Sequence, residues 1–254
     1  MKTFQAYLKK EIFEGVRNYK YIVLTVGFIF FAVLDPLILK ILPVILKNQI
    51  PIDLSQVMKI TQKSAMQNYM KDLFQISNIV LALTIMGTLA EEVKGKTLVF
   101  PYSKGVSSLG IVLAKTVHYT AVVMFLVFAG FIINHYYSEI LFTDEPVTFF
   151  QILKVTLMFS IYYMFNISLI IFMSSIFKSG IGAGLSALIL IFFMPLLSNI
   201  TFINEYLPYY LLQKAKEIDF IFNSSIWVNI FCTLMYVIVL NLAASYRMKK
   251  VKVI

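Results

Sequence analysis

The chain has 254 residues and a net charge of +9; 59% of its residues are hydrophobic and only 14% are charged. Soluble domains carry about 25% charged residues, so this composition excludes an ordinary soluble protein and points to a polytopic membrane protein. The positive charge is no sign of nucleic acid, because Lys and Arg cluster at the ends of apolar runs, as in loops retained in the cytoplasm.

Residues 3–19 place Phe4, Leu8, Ile12, Val16 and Tyr19 at helical spacing, with Lys9, Lys10, Glu14 and Arg17 off that stripe. The pattern predicts a basic amphipathic helix over 1–20 lying in the membrane surface; the plainer reading is an extension of the first span. Crossing a bilayer takes about 20 mostly apolar helical residues. The runs 73–90, 116–138, 155–177, 179–204 and 220–246 contain no Asp, Glu, Lys or Arg. Six spans are expected, at about 21–42, 73–90, 109–133, 152–176, 181–200 and 224–245. The fold class is therefore all-α, a single membrane domain over 1–254. Asp35-Pro36 is expected to break or kink the first span, since proline removes a backbone donor and crowds the preceding turn. Residues 47–72 are polar and mixed and read as a loop with some helix. A charged segment, 91–108, joins the second and third spans, and His135, Glu139, Asp144 and Glu145 mark the loop before the fourth. Lys178-Ser179-Gly180 makes a tight turn into the fifth span, and 201–222 is too polar to cross but apolar enough for an interface.

With the N-terminus in the cytoplasm, most of the 22 basic residues fall on inner segments, the cluster between Lys40 and Lys71 excepted. Both termini are thus expected to be cytoplasmic. Richness in Lys, Ile, Phe and Tyr suggests an AT-rich bacterial genome, so the expected location is a bacterial cell membrane. The lone cysteine, Cys232, lies inside the last span and leaves no disulfide framework.

The most specific stretch is MGTLAEEVKGKTLVFPYSKGVSSLGIVLAKTV, residues 86–117. A span ends in Glu91 and Glu92; Gly95, Thr97, Pro101, Ser103 and Lys104 follow, and Lys115 stands at the mouth of the next span. Gly95 allows a tight bend, and Pro101 keeps one helix from running straight through. This order resembles the E-x-x-x-G-T-…-P-[VY]-S-[RK]-…-K signature of permease subunits of the type-2 ATP-binding-cassette (ABC) exporter family, with one departure: Lys96 separates Gly95 from Thr97. The resemblance extends to six spans, an N-terminal elbow helix and a Tyr206-Leu207-Pro208 between the last two spans.

The resemblance implies that 91–108 docks on a separate ABC ATPase subunit, two copies per complex. Glu91, Glu92, Gly95, Thr97, Pro101, Ser103 and Lys104 would form the coupling element, and Lys178 a secondary contact. Mg-ATP would be bound in that partner, and no cofactor by this chain, which has no GxxxxGK[ST] and no room for a nucleotide-binding domain of about 200 residues. Gly180, Gly182, Gly184 and Ser186 offer a small-residue surface for close helix packing. By the resemblance, that surface and the first span meet a second permease chain, the same or a different one. The implied activity is export of an amphiphilic substrate, a hydrophobic or antimicrobial peptide being preferred; the chain itself is not an enzyme.

Two other readings fit parts of the sequence. One is a membrane sensor or immunity protein that binds such a peptide without pumping it. The other is a CAAX-type intramembrane protease, from Glu91-Glu92-x-x-x-Lys96 and Phe131-x-x-x-His135. The helical rise from Lys115 to His135 is about 30 Å, so those acids and that histidine fall on opposite sides of the bilayer. Two separated histidines and one cysteine do not make a zinc site either. Asp35 is the one intramembrane carboxylate expected.

Overall fold

The computed structural model describes residues 2–47 and 60–251. Among them there are helices and turns but no strand. Helix α1 (Lys2–Arg17) turns at Tyr19 into α2 (Lys20–Lys47). A polar helix, α3 (Gln62–Asp72), passes through a π-helical turn (Leu73–Ser77) into α4 (Asn78–Ile85). Two short helices, α5 (Ala90–Lys94) and α6 (Val99–Ser103), lead to α7 (Ser108–Leu141) and α8 (Phe149–Ile176). Helix α9 (Gly180–Leu197), the short α10 (Thr201–Asn204) and α11 (Tyr209–Lys216), and α12 (Ser224–Val251) complete the chain.

Six of these runs are long and apolar enough to cross a membrane: Lys20–Pro43, Gln62–Lys94, Ser108–Leu141, Phe149–Ile176, Gly180–Leu197 and Ser224–Lys250. The protein is a multi-pass membrane protein. Helix α8 is the most enclosed of them, packed on α7, α9, α11 and α12. The end of the bundle at which α2 begins is the proximal face; the distal face holds the starts of α3 and α8 and the α11 region.

Polar side chains tie the spans together. Thr116 on α7 donates to Asn241 Oδ1 on α12 at 2.5 Å, and Asn241 Nδ2 donates to Ser168 on α8 at 3.1 Å. Asn166 of α8 donates to Asn78 Oδ1 at 2.8 Å, and the Tyr163 hydroxyl donates to the Leu73 carbonyl at the π turn at 2.7 Å. In lipid each such group needs a partner inside the protein.

Several expectations change. Of the break or kink expected at Asp35-Pro36, the break does not occur: Pro36 and Pro43 lie inside a continuous α2. Pro36 cannot donate to the Ala32 carbonyl, and Asn134 Nδ2 on α7 supplies that bond instead, at 3.3 Å. The second span begins at Gln62, well before residue 73, because α3 buries Gln62, Ala65, Met66, Tyr69 and Met70 despite its polar composition. Of the loop expected over 47–72, residues 48–59 lie outside the described residues. Asp144 and Glu145 are joined to the start of α3: Gln62 N donates to the Asp144 carbonyl and Thr61 Oγ1 to Glu145.

Candidate functional site

Charged side chains converge at the proximal face where α1, the α2 start, α5 and α7 meet. Helix α1 packs on the first turns of α7, with Thr3 beside Gly110. Its buried face carries Tyr7 and Glu11, with Phe4 and Leu8 packed on the core. Ile12, Val16 and Tyr19, three of the five residues in the expected apolar stripe, are exposed instead, along with Phe13. Protein contact therefore runs along a face that includes an acid and shares only Phe4 and Leu8 with the expected stripe.

Lys115 on α7 is 1% exposed and donates to Glu11 at 2.5 Å and to Glu92 at 3.1 Å. Glu11 is completely buried and also accepts from the Tyr119 hydroxyl at 3.4 Å. Lys10 pairs with Glu92, and lies 3.7 Å from Glu14. Lys20, at the α2 start, donates to Glu14 and to the Tyr119 hydroxyl, both at 3.1 Å. Beside them the Tyr21 hydroxyl and His118 Nε2 share a hydrogen bond at 3.2 Å. One network therefore ties four separate segments together.

Burial alone would push the Glu14 carboxyl up; Lys20, with Lys10 and Lys115 behind it, outweighs burial and holds it below its usual range. That contribution to stability is present at neutral pH and is lost as pH falls through the folded-state value. Burial, then the Glu92 charge, raises the Tyr7 hydroxyl, which stays protonated. Ligand oxygens of Glu11, Glu14 and Glu92 lie within 4.8 Å of one another. The ammonium groups of Lys10, Lys20 and Lys115 already neutralise that cluster, so its donor set suits no metal. A cavity of about 360 Å³ opens alongside, between Glu14, Asn18 and Lys20 on one side and Thr84, Gly87 and Glu91 on the other.

The expected coupling residues divide between two roles. Glu92 turns inward to Lys115, while Glu91 is exposed, its carboxylate folded over Gly87 and close to Gly180 at the start of α9. Gly95 has an ordinary right-handed backbone; the left-handed residues are Lys96 (φ 53°) and Gly105 (φ 77°). The bend expected at Gly95 therefore lies one residue later, with a second at Gly105. Pro101 sits in the first turn of α6, where its missing N–H costs no helix bond. Thr97 Oγ1 donates to the Glu92 carbonyl at 3.2 Å and Ser103 Oγ to that of Phe100 at 2.8 Å. Leu98 anchors this turn inward, while Val99 and Phe100 point out, Phe100 being 66% exposed with the Lys104 ammonium 4.4 Å above its ring. The tip thus presents apolar side chains among Lys94, Lys96 and Lys104.

The neighbouring turn is fastened to this segment. Ser174, near the α8 end, accepts from Leu89 N and Ala90 N, both at 3.0 Å, and donates to the Met86 carbonyl at 2.8 Å. Lys178 is exposed on the turn that follows. Gly180 and Gly184 are buried against Gly87 and Met86 of the same chain, where a methyl would crowd Gly87 and overlap Met86, while Gly182 and Ser186 are partly exposed. Replacing Ser174 with alanine is expected to cost about 1–3 kcal/mol, since two buried amides lose their acceptor. Faster amide exchange at Leu89 and Ala90 would report it; unchanged exchange there would show that Ser174 does not hold the junction.

The acids and His135 of the protease pattern stay apart: Glu92 meets Lys115, and His135, beside Glu139, lies about 30 Å further along α7. Sequence inspection missed Glu11 and Lys20 as buried or part-buried partners. The available signal was a carboxylate at helical spacing from Tyr7 on a face otherwise read as apolar. Compared with protein-family models, with curated proteins and with solved structures, the chain finds no match.

Proposed function

We propose that this chain is the permease subunit of an ABC exporter in a bacterial cell membrane, moving an amphiphilic substrate such as a hydrophobic or antimicrobial peptide. In this reading the proximal face and both termini are cytoplasmic. Two copies of a separate ATPase bind Mg-ATP and press on segment 91–108, and a second permease chain completes the transport path.

The observation that carries the reading is the construction of that segment. Its tip is exposed, apolar and basic, as a protein-docking surface requires, while its base is rigidly held. Glu92 is locked to Lys115, and the Leu89–Ala90 amides are locked to Ser174. A push on the tip is therefore transmitted to α1, α7 and α8 together, as a rigid-body motion between spans needs.

The test is purification of the tagged chain from its native membrane in mild detergent. A P-loop ATPase should co-purify, and substrate-stimulated ATP hydrolysis should fall at least about tenfold with Phe100→Asp, an interface anchor being worth about 2 kcal/mol or more. Glu91→Lys is the cleaner charge probe, because reversing Glu92 would also disrupt the buried network. A chain that transports its substrate with no nucleotide-hydrolysing companion sinks the reading. A complex that binds peptide without any stimulated hydrolysis would favour the non-pumping sensor.

A further inference from the structure

Helices α2 and α4 touch at one level and part toward the proximal face. A methyl on Gly27 of α2 would overlap Val80 of α4, so the two helices are in close contact there. Nearer the proximal end, the cavity of about 360 Å³ noted above opens between them, with Asn18 from the α1–α2 turn and Glu91 from α5 in its walls. Its volume lies within the range of small-molecule sites.

The two walls offer opposite chemistry. Lys20 spends two of its three ammonium hydrogens, on Glu14 and on the Tyr119 hydroxyl, and keeps the third. Asn18 beside it makes no side-chain hydrogen bond among the described residues. Glu14, on the same wall, is already paired with Lys20 and Lys10. Across the cavity, Glu91 is exposed, and among the described residues its carboxylate has no hydrogen bond or ion pair. The Thr84 and Thr88 hydroxyls donate to the Val80 and Ile85 carbonyls, so toward the cavity they can only accept. Glu92 is committed to Lys10 and Lys115. One wall therefore has donors to spare and the other has acceptors.

Away from the proximal face the lining becomes apolar. Val23 and Leu83, both in the cavity wall, are about half exposed and belong to spans, so they face lipid. Val26 and Phe30 continue the exposed row on α2, and Ile79 continues it on α4, at helical spacing. A polar pocket that runs on into lipid-facing rows fits an amphiphile taken from the bilayer, and a donor wall opposite an acceptor wall fits a zwitterionic head. We infer that the cavity binds the headgroup of an ethanolamine phospholipid: the phosphate meets Lys20 and Asn18, the ammonium meets Glu91, and the acyl chains follow the apolar rows. A choline head has no N–H to donate to Glu91, and a glycerol head has no cation for it. A lysine-bearing peptide would leave Lys20 and Asn18 without an anion. Lipid binding needs no ATPase, so the site stands or falls independently of the transport reading.

The test uses the full chain, stripped of lipid in mild detergent and offered ethanolamine, choline or glycerol phospholipids with identical acyl chains, with retention read by native mass spectrometry. Wild type should bind the ethanolamine lipid at least about tenfold more tightly than either of the others, as one charge-assisted hydrogen bond allows. Glu91→Gln breaks no existing side-chain bond, so it should fold normally and lose that preference while binding the choline lipid as before. Leu83→Trp fills the groove and should weaken all three lipids; if one variant fails to fold, the other carries the comparison. The inference is overturned if wild type shows no headgroup preference, if the glycerol lipid binds best, or if the preference survives Glu91→Gln. Unchanged binding in Leu83→Trp would overturn it too. It is also overturned if a lysine-rich amphipathic peptide, and not the ethanolamine lipid, binds in a Glu91-dependent way, which would make the cavity a peptide site.

Discussion

Replacing Lys115 with methionine is expected to lower the apparent melting midpoint in detergent by about 10 °C. The ammonium it removes is the shared partner of Glu11, wholly buried, and Glu92. Deleting one member of a buried ion set costs about 3–5 kcal/mol, because the remaining charges keep their desolvation penalty and lose their compensation. At about 2–4 °C per kcal/mol for a chain of this size, the shift is large enough to read directly. The triple variant Glu11→Gln, Lys115→Met, Glu92→Gln removes the charges together and should recover most of the loss. Such a recovery separates an electrostatic cause from simple misfit of the methionine. A single variant as stable as wild type would show that the network contributes nothing.

The second large effect is expected at Gly130, on α7. A methyl group there would overlap the Tyr69 hydroxyl, with the Phe28 carbonyl in contact just behind it. The hydroxyl cannot retreat without giving up its 2.8 Å bond to that carbonyl. Gly130→Ala thus combines overpacking, about 1–3 kcal/mol, with a buried hydroxyl left unpaired, about 1–3 kcal/mol. Together these should destabilise the protein by about 3 kcal/mol, measured by the same melting assay. Tyr69→Phe removes the obstructing oxygen, so Gly130→Ala made in that background should cost much less than in wild type. Equal costs in the two backgrounds would mean that the clash lies elsewhere.

The membrane spans were plain in the sequence because lipid imposes one requirement on every residue of a span, and long charge-free runs meet it visibly. What escaped inspection depends on partners distant in the chain. Pro36 reads as a helix breaker on local grounds, but Asn134 supplies the missing donor to Ala32 from another helix. The polar run 47–72 reads as a loop with some helix, yet Gln62–Asp72 belongs to a span: its Gln62 side chain donates to the Phe142 carbonyl and accepts from Val147 N. At the proximal face, Glu92 and Lys115 stood out within one stretch of sequence. Glu11, equally central, lies in a helix whose pattern spoke only of the membrane surface. The left-handed residue at the turn proved to be Lys96, which no propensity argument would choose ahead of the glycine beside it.

The pairing of Glu11 with Lys115 also constrains how the protein is made. These residues are 104 positions apart, so the acid leaves the ribosome long before its ammonium. Until α7 has been inserted, the N-terminal helix has nowhere to bury that carboxylate and must wait at the water boundary. Its final seating is then a late event in biogenesis, completed only after at least three spans have entered the bilayer. A nascent chain truncated before residue 115 should therefore leave its first helix open to protease, and one extended through α7 should protect it.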